Sequence, residues 1–184
     1  MKVNNYISTY DNVINSKLCN DIIHLFESCS HQHEKILVDG HFSFTHIQLP
    51  MYEEWKQYCL FLEDIFRSYI KKYLDDNNID KYRFPEQFGF ELFKIKKYFP
   101  NNVDEFKKHV DVTDYNSAKR FLAFFIYLNN NKGGQTFFPD LKIKINPVAG
   151  KMLIFPPLWT HLHSGLKPIK TSKYIVGSYL HYIN

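Results

Sequence analysis

Two histidines and an aspartate have the types and spacing to hold a metal ion. His109-Val110-Asp111 sets an imidazole and a carboxylate two residues apart, and His163 follows much later in the chain. On an extended backbone, residues i and i+2 project to the same side, so His109 and Asp111 can face one ion. Two neutral imidazoles and one carboxylate make a mixed donor set suited to Fe(II), with three protein ligands on one side and open positions on the other. By itself the pair is a weak signal in a chain with nine histidines, because short metal-like spacings arise by chance. His161 competes with His163, since both would point the same way. Lys173, between Ser172 and Tyr174 at the start of an apolar run, adds a cation whose burial would require an anionic partner.

These residues need elements to position them, and the pattern supplies two kinds. Asn15-Ser16 can cap a helix over Lys17 to Cys29, with Leu18, Ile22, Leu25 and Phe26 on one face. His31 to His33 and Asp39-Gly40 read as a loop or turn. A second helix is expected from about Glu53 to Leu74, where Trp55, Cys59, Leu62, Phe66, Tyr69 and Tyr73 recur at helical spacing. From Phe90 the period changes to two. Phe90 to Tyr98 alternates apolar and polar, and Phe121 to Leu128 is a continuous run fit for a central strand. Gln135 to Phe138, Leu141 to Ile145, Met152 to Phe155 and Lys173 to Tyr182 are further strands, with Gly133-Gly134 and Pro147 to Gly150 as breaks. Short strands without helical spacers indicate an antiparallel jelly roll, or double-stranded β-helix. The fold class is therefore mostly β with N-terminal helices. A single domain over 1–184 is expected, with 1–88 as a helix-rich support and 89–184 as the jelly-roll core.

The bulk numbers agree with one aromatic-filled domain. Of 184 residues 45% are hydrophobic, with 17 Phe and 13 Tyr, which excludes disorder. A net charge of +4 is too small to argue for nucleic-acid binding. Cys19, Cys29 and Cys59 are odd in number and lie away from the candidate metal pair, as expected of reduced, buried thiols. No secretory signal or membrane-length apolar run is evident, so the chain reads as soluble and cytoplasmic.

From Phe93 to Tyr182 the chain resembles the Fe(II)/2-oxoglutarate-dependent dioxygenases of the prolyl 4-hydroxylase family. The resemblance rests on Lys97-Tyr98, Phe106-x-x-His109-x-Asp111, Arg120-Phe121 through Asn129, and Gly133-Gly134-x-Thr136-x-Phe138-Pro139. It continues through Pro147-x-Ala149-Gly150, Ile154-Phe155-Pro156, His163-x-Gly165 and Lys173-Tyr174. The ten-residue step from His163 to Lys173 matches the family and selects His163 over His161, which is left on the rim or behind the ligands as a supporting residue. The resemblance implies that His109, Asp111 and His163 bind Fe(II). It implies that Lys173 pairs with the C5 carboxylate of 2-oxoglutarate, assisted by Tyr127 and Thr136. Tyr98 would bond the metal-proximal end of the cosubstrate, and Arg120 would meet a peptide substrate. O2 would be consumed and succinate and CO2 released, with ascorbate a candidate accessory cofactor.

The reaction so implied is hydroxylation of a peptidyl residue, proline foremost, in a peptide or protein partner. A nucleic-acid dealkylating oxygenase is disfavoured, because Lys173 stands where such enzymes carry Arg and no second Arg follows in Tyr174 to Tyr179. A free amino acid or other small molecule remains an alternative substrate. A non-catalytic jelly-roll binding module is the remaining alternative.

Overall fold

A computed structural model describes residues 5–183. In chain order it contains β1 (Ser8–Tyr10), α1 (Ser16–Ser28), β2 (Glu34–Val38), β3 (Phe42–Gln48), α2 (Lys56–Asp76), β4 (Gly89–Phe90), β5 (Lys94–Tyr98) and β6 (Phe106–His109). There follow β7 (Arg120–Tyr127), β8 (Thr136–Phe138), β9 (Ile143–Ile145), β10 (Met152–Phe155), β11 (His163–Gly165) and β12 (Lys173–His181). All strand pairings are antiparallel, and the main path runs β1-β10-β7-β12-β5-β3-β6-β11-β8-β9. The result is the mostly-strand, curled antiparallel sheet of a jelly roll.

Period-two alternation sorts this sheet into two faces. On β7, Leu122, Phe124 and Ile126 join a core with the helices, while Ala123 and Tyr127 belong to a second cluster with Phe138, Leu153 and Phe155 inside the curl. On β12, Tyr174, Val176 and Leu180 face the helices, and Ile175 and Tyr179 face inward. The helices cover the outer face with Cys19, Ile22 and Phe26 of α1 and Leu62, Phe66, Ile70 and Tyr73 of α2. Phe66 lies 4.2 Å from Phe124 and 5.7 Å from Phe93, ring to ring. Burying such a side chain stabilises the fold by roughly 2–3 kcal/mol.

Local chemistry explains the helix boundaries. Asn15 caps α1 by accepting a hydrogen bond from the Leu18 amide at 2.8 Å, as its residue type predicts. The second helix begins later than its apolar period suggests, at Lys56, after two 3₁₀ turns. Those turns seat Trp55, which is fully buried and donates its indole N–H to Gln32. No helix among the described residues is long and apolar enough to cross a membrane.

Two departures matter for the site. The segment from Phe90 to Tyr98 is two strands, because the backbone around Glu91 turns to bond Tyr179 and Ser178. The turns expected at His31 to His33 and at Asp39-Gly40 are present, but the residues on either side of Asp39-Gly40, which no pattern assigned, form the hairpin β2–β3, and β3 inserts between β5 and β6. Its buried polar residues hide its strand character from the sequence pattern. Ser43 donates to Asp104, and His46 pairs with Glu34. Cys19, Cys29 and Cys59 are free, the first two buried.

Candidate active site

Two neighbouring strands of the curl deliver the histidine ligands to the same place. β6 ends on His109, β11 begins on His163, and the two residues are direct partners in the register. The rings are 4.2 Å apart, and Asp111 lies 3.5 Å from His109 Nε2 and 3.6 Å from His163 Nε2. One donor atom from each of the three falls within 4.8 Å of the others, the only such group of three or more among the described residues. Since ligand bonds of nitrogen and oxygen to a transition metal run about 2.0–2.2 Å, one ion can be reached by all three. The donor set and its spacing fit Fe(II).

The surroundings fix each ligand. His109 Nδ1 contacts the Lys107 carbonyl at 2.7 Å, and His163 Nδ1 contacts the His161 carbonyl at 3.0 Å. Both imidazoles thereby donate from Nδ1 and keep Nε2 free for a metal. The Tyr179 hydroxyl donates to Asp111 Oδ1 at 2.8 Å. Arg120 donates to the Asp111 carbonyl, and the Asp111 amide bonds Pro157. Burial disfavours the Asp111 carboxylate, yet the His109 hydrogen bond and the two imidazoles hold its pKa down to about 2. Burial pushes the His163 imidazolium down to about 4, so the ring is neutral and ligand-ready at pH 7.

A cavity of about 470 Å³ opens behind the cluster and reaches Lys173, Tyr98 and Thr136. Lys173 is 2% exposed; its ammonium lies 4.2 Å from the centre of the Tyr98 ring and donates to the Gly134 carbonyl at 3.2 Å. No carboxylate pairs with it among the described residues. Burial, with the nearby Lys96 charge adding to it, lowers its pKa to about 7. Asn129 brackets the lysine, donating to the Ser172 carbonyl and accepting from the Tyr174 amide. Gly134 has φ +65, and a Cβ there would come within 3.0 Å of the lysine stem. Glycine at this position makes room for the side chain.

The other expected residues divide in two. Thr136 lines the cavity, and Tyr127 stands behind it, their hydroxyls 2.6 Å apart. Tyr98 faces Lys173 across the β5–β12 register. Arg120 borders the cavity, but its nitrogens are spent on Glu91, at 2.7 and 2.9 Å, and on the Asp111 carbonyl. His161 is buried and serves His163 through its backbone. Sequence reasoning passed over Tyr179, Glu91 and Lys96. Counting by twos from Lys173 would have placed Tyr179 on the same inward face.

The residues 93–181 match the model of the 2OG-Fe(II) oxygenase superfamily. Just under half of the chain is therefore similar to a 2OG-Fe(II) oxygenase domain. The chain is 29% identical over 106 residues to a mimivirus protein named "Putative prolyl 4-hydroxylase" (Acanthamoeba polyphaga mimivirus). That match takes in 47% of this chain and 43% of the relative, so the chain spans less than half of that protein's length. Among solved structures, the viral collagen prolyl hydroxylase of Paramecium Bursaria Chlorella virus-1, in a 2OG complex, superposes with a TM-score of 0.67 at 20% identity, covering 97% of both chains. A Trichoplax adhaerens prolyl hydroxylase bound to a hypoxia-inducible-factor peptide gives 0.77 at 16% identity, over 96% of this chain and 84% of that one. A Pseudomonas putida prolyl-4-hydroxylase gives 0.68 at 13%, over 98% and 94%. These likenesses establish that the chain has the jelly-roll fold of the prolyl hydroxylases.

Proposed function

We propose that the protein is an Fe(II)- and 2-oxoglutarate-dependent dioxygenase that hydroxylates a peptidyl residue, with proline as the target. The observation that carries this reading is the meeting, in one cavity, of the His109, Asp111 and His163 cluster with the buried, uncompensated Lys173. The three ligands would hold the iron by its nitrogen and oxygen donors. Lys173 would take the C5 carboxylate of 2-oxoglutarate, with Thr136 donating a hydrogen bond backed by Tyr127 and with Tyr98 walling the cosubstrate. When bound, iron and 2-oxoglutarate supply the oxidising chemistry that inserts one atom of O2 into a C–H bond and releases succinate and CO2. The protein holds its reactants in place and excludes water. Phe138 and Phe155 pack against His163, at 5.7 and 4.8 Å ring to ring, and keep that side dry. A peptide as substrate is supported by the peptide-bound relative and by the room left in the cavity.

The test is succinate release with Fe(II), 2-oxoglutarate and ascorbate, with and without proline-containing peptides, with mass spectrometry for a gained oxygen. Wild type should turn over and hydroxylate proline, and His109→Ala should do neither. Undiminished turnover in His109→Ala would sink the proposal.

A further inference from the structure

The cavity is more cationic than iron and 2-oxoglutarate require. Besides Lys173 it is bordered by Lys94 and Lys96 of β5 and by Lys107 and Lys108 of β6. None of these four forms an ion pair among the described residues. The cavity's two carboxylates are already committed, Glu91 to Arg120 and Asp111 to the ligand cluster.

Lys96 is the most informative of them. It is half-buried, and its ammonium lies 5.0 Å from the Phe44 ring centre and 5.7 Å from that of Phe106. Phe106 in turn stacks on His109 at 3.6 Å, so the cation is held beside the ligand cluster. Aromatic faces compensate a partly desolvated ammonium by only about 0.5–2 kcal/mol, and an anion would complete the compensation.

The strand register separates this cation from the cosubstrate anchor. Tyr98 pairs with Lys173, whereas Lys96 pairs with Ile175 and Lys94 with Gly177. Each two-residue step along β5 advances about 6.6 Å, leading away from Lys173 toward the part of the cavity bordered by Tyr179 and Arg120. We infer that Lys96, flanked by Lys94, Lys107 and Lys108, is a subsite for a carboxylate of the substrate, so that the oxidised residue lies in an acidic peptide. The inference rests on the peptidyl reading above and names its substrate class. A peptide fits better than a nucleic acid, because the lysines are gathered around one cavity and the whole chain carries only +4. Phosphate backbones are gripped along an extended basic stripe.

The test uses two peptides of equal length with a central proline, one flanked by Asp and Glu and its twin by Asn and Gln. Binding is read by fluorescence polarisation on the protein without added iron, and hydroxylation by mass spectrometry with Fe(II) and 2-oxoglutarate. The acidic peptide should bind at least about tenfold more tightly, the ratio set by one charge-assisted hydrogen bond. Lys96→Met should collapse that ratio toward unity without raising the KM for 2-oxoglutarate, and Lys96→Arg should restore much of it. Equal binding of the twins by wild type would overturn the subsite. So would a Lys96→Met variant whose defect is in 2-oxoglutarate alone, which would assign the cation to the cosubstrate. A single-stranded oligonucleotide that displaces the acidic peptide and binds more tightly would overturn it in favour of nucleic acid. Equal hydroxylation of both peptides overturns the subsite and leaves peptidyl hydroxylation standing, whereas succinate release without oxygen in either peptide refutes both.

Discussion

Replacing Lys173 by methionine should strengthen the empty fold while weakening cosubstrate binding. The lysine is 2% exposed, bonds the Gly134 carbonyl, and has a pKa lowered from 10.5 to about 7 by burial and the neighbouring Lys96. Between pH 7 and 10.5 the unfolded chain binds a proton at this site that the folded chain does not, so folding stability rises with pH across that window. Below about pH 7 the penalty is complete. Its size, at 1.36 kcal/mol for each pH unit of that interval, is on the order of 4 kcal/mol near neutrality. Methionine fills a similar volume without the charge. Urea unfolding from pH 6 to 9, without iron or 2-oxoglutarate, should therefore show Lys173→Met more stable than wild type at pH 7, with the contribution of this site to the pH slope gone. The same variant should bind 2-oxoglutarate about a hundredfold or more weakly, because a buried charge pair can no longer form. Wild-type affinity should fall by up to about tenfold per pH unit above pH 7, as binding must then take up a proton. A variant less stable than wild type at pH 7, or one that kept its cosubstrate affinity, would refute this account of the anchor.

Three further outcomes follow from the geometry. Tyr179→Phe removes the hydroxyl that orients Asp111; metal affinity, read by Mn(II) titration, should drop about 10–100-fold with an unchanged circular dichroism spectrum. Arg120→Lys keeps the charge but loses the paired grip on Glu91 and the bond to the Asp111 carbonyl. It should cost about 1–3 kcal/mol in urea unfolding and lower kcat/KM for peptide hydroxylation. Gly177→Ala would force a Cβ to 2.3 Å from the Phe124 carbonyl oxygen and 2.4 Å from Phe125 Cβ. It should destabilise the fold by about 1–3 kcal/mol or more, seen as a lower urea midpoint.

The second half of the chain was legible because its chemistry and its packing share one period. The period of two along β5, β7 and β12 decides which side chains face the helices and which face the cavity, while Lys173 and Tyr98 were singled out by the family resemblance. Met152 to Phe155 emerges with the boundaries its composition suggests. β3 was not legible, since Ser43, Thr45 and His46 are polar and become buried only because Asp104 and Glu34 arrive from elsewhere. Tyr179 and Glu91 escaped for a related reason. Their importance lies in partners distant in sequence, Asp111 and Arg120, which no local pattern announces.

The position of β12 in the sheet has a consequence for biosynthesis. This strand pairs with β4, β5 and β7, all of which precede it in the chain. During translation β5 and β7 emerge as neighbours missing the element that joins them. Their inner edges stay unsatisfied until residues 173–181 leave the ribosome. Such late, non-local closure slows folding and prolongs exposure of sticky edges. A nascent chain stalled before Lys173 would therefore be a preferred client for a chaperone, and the cosubstrate anchor would form in the same step that completes the sheet.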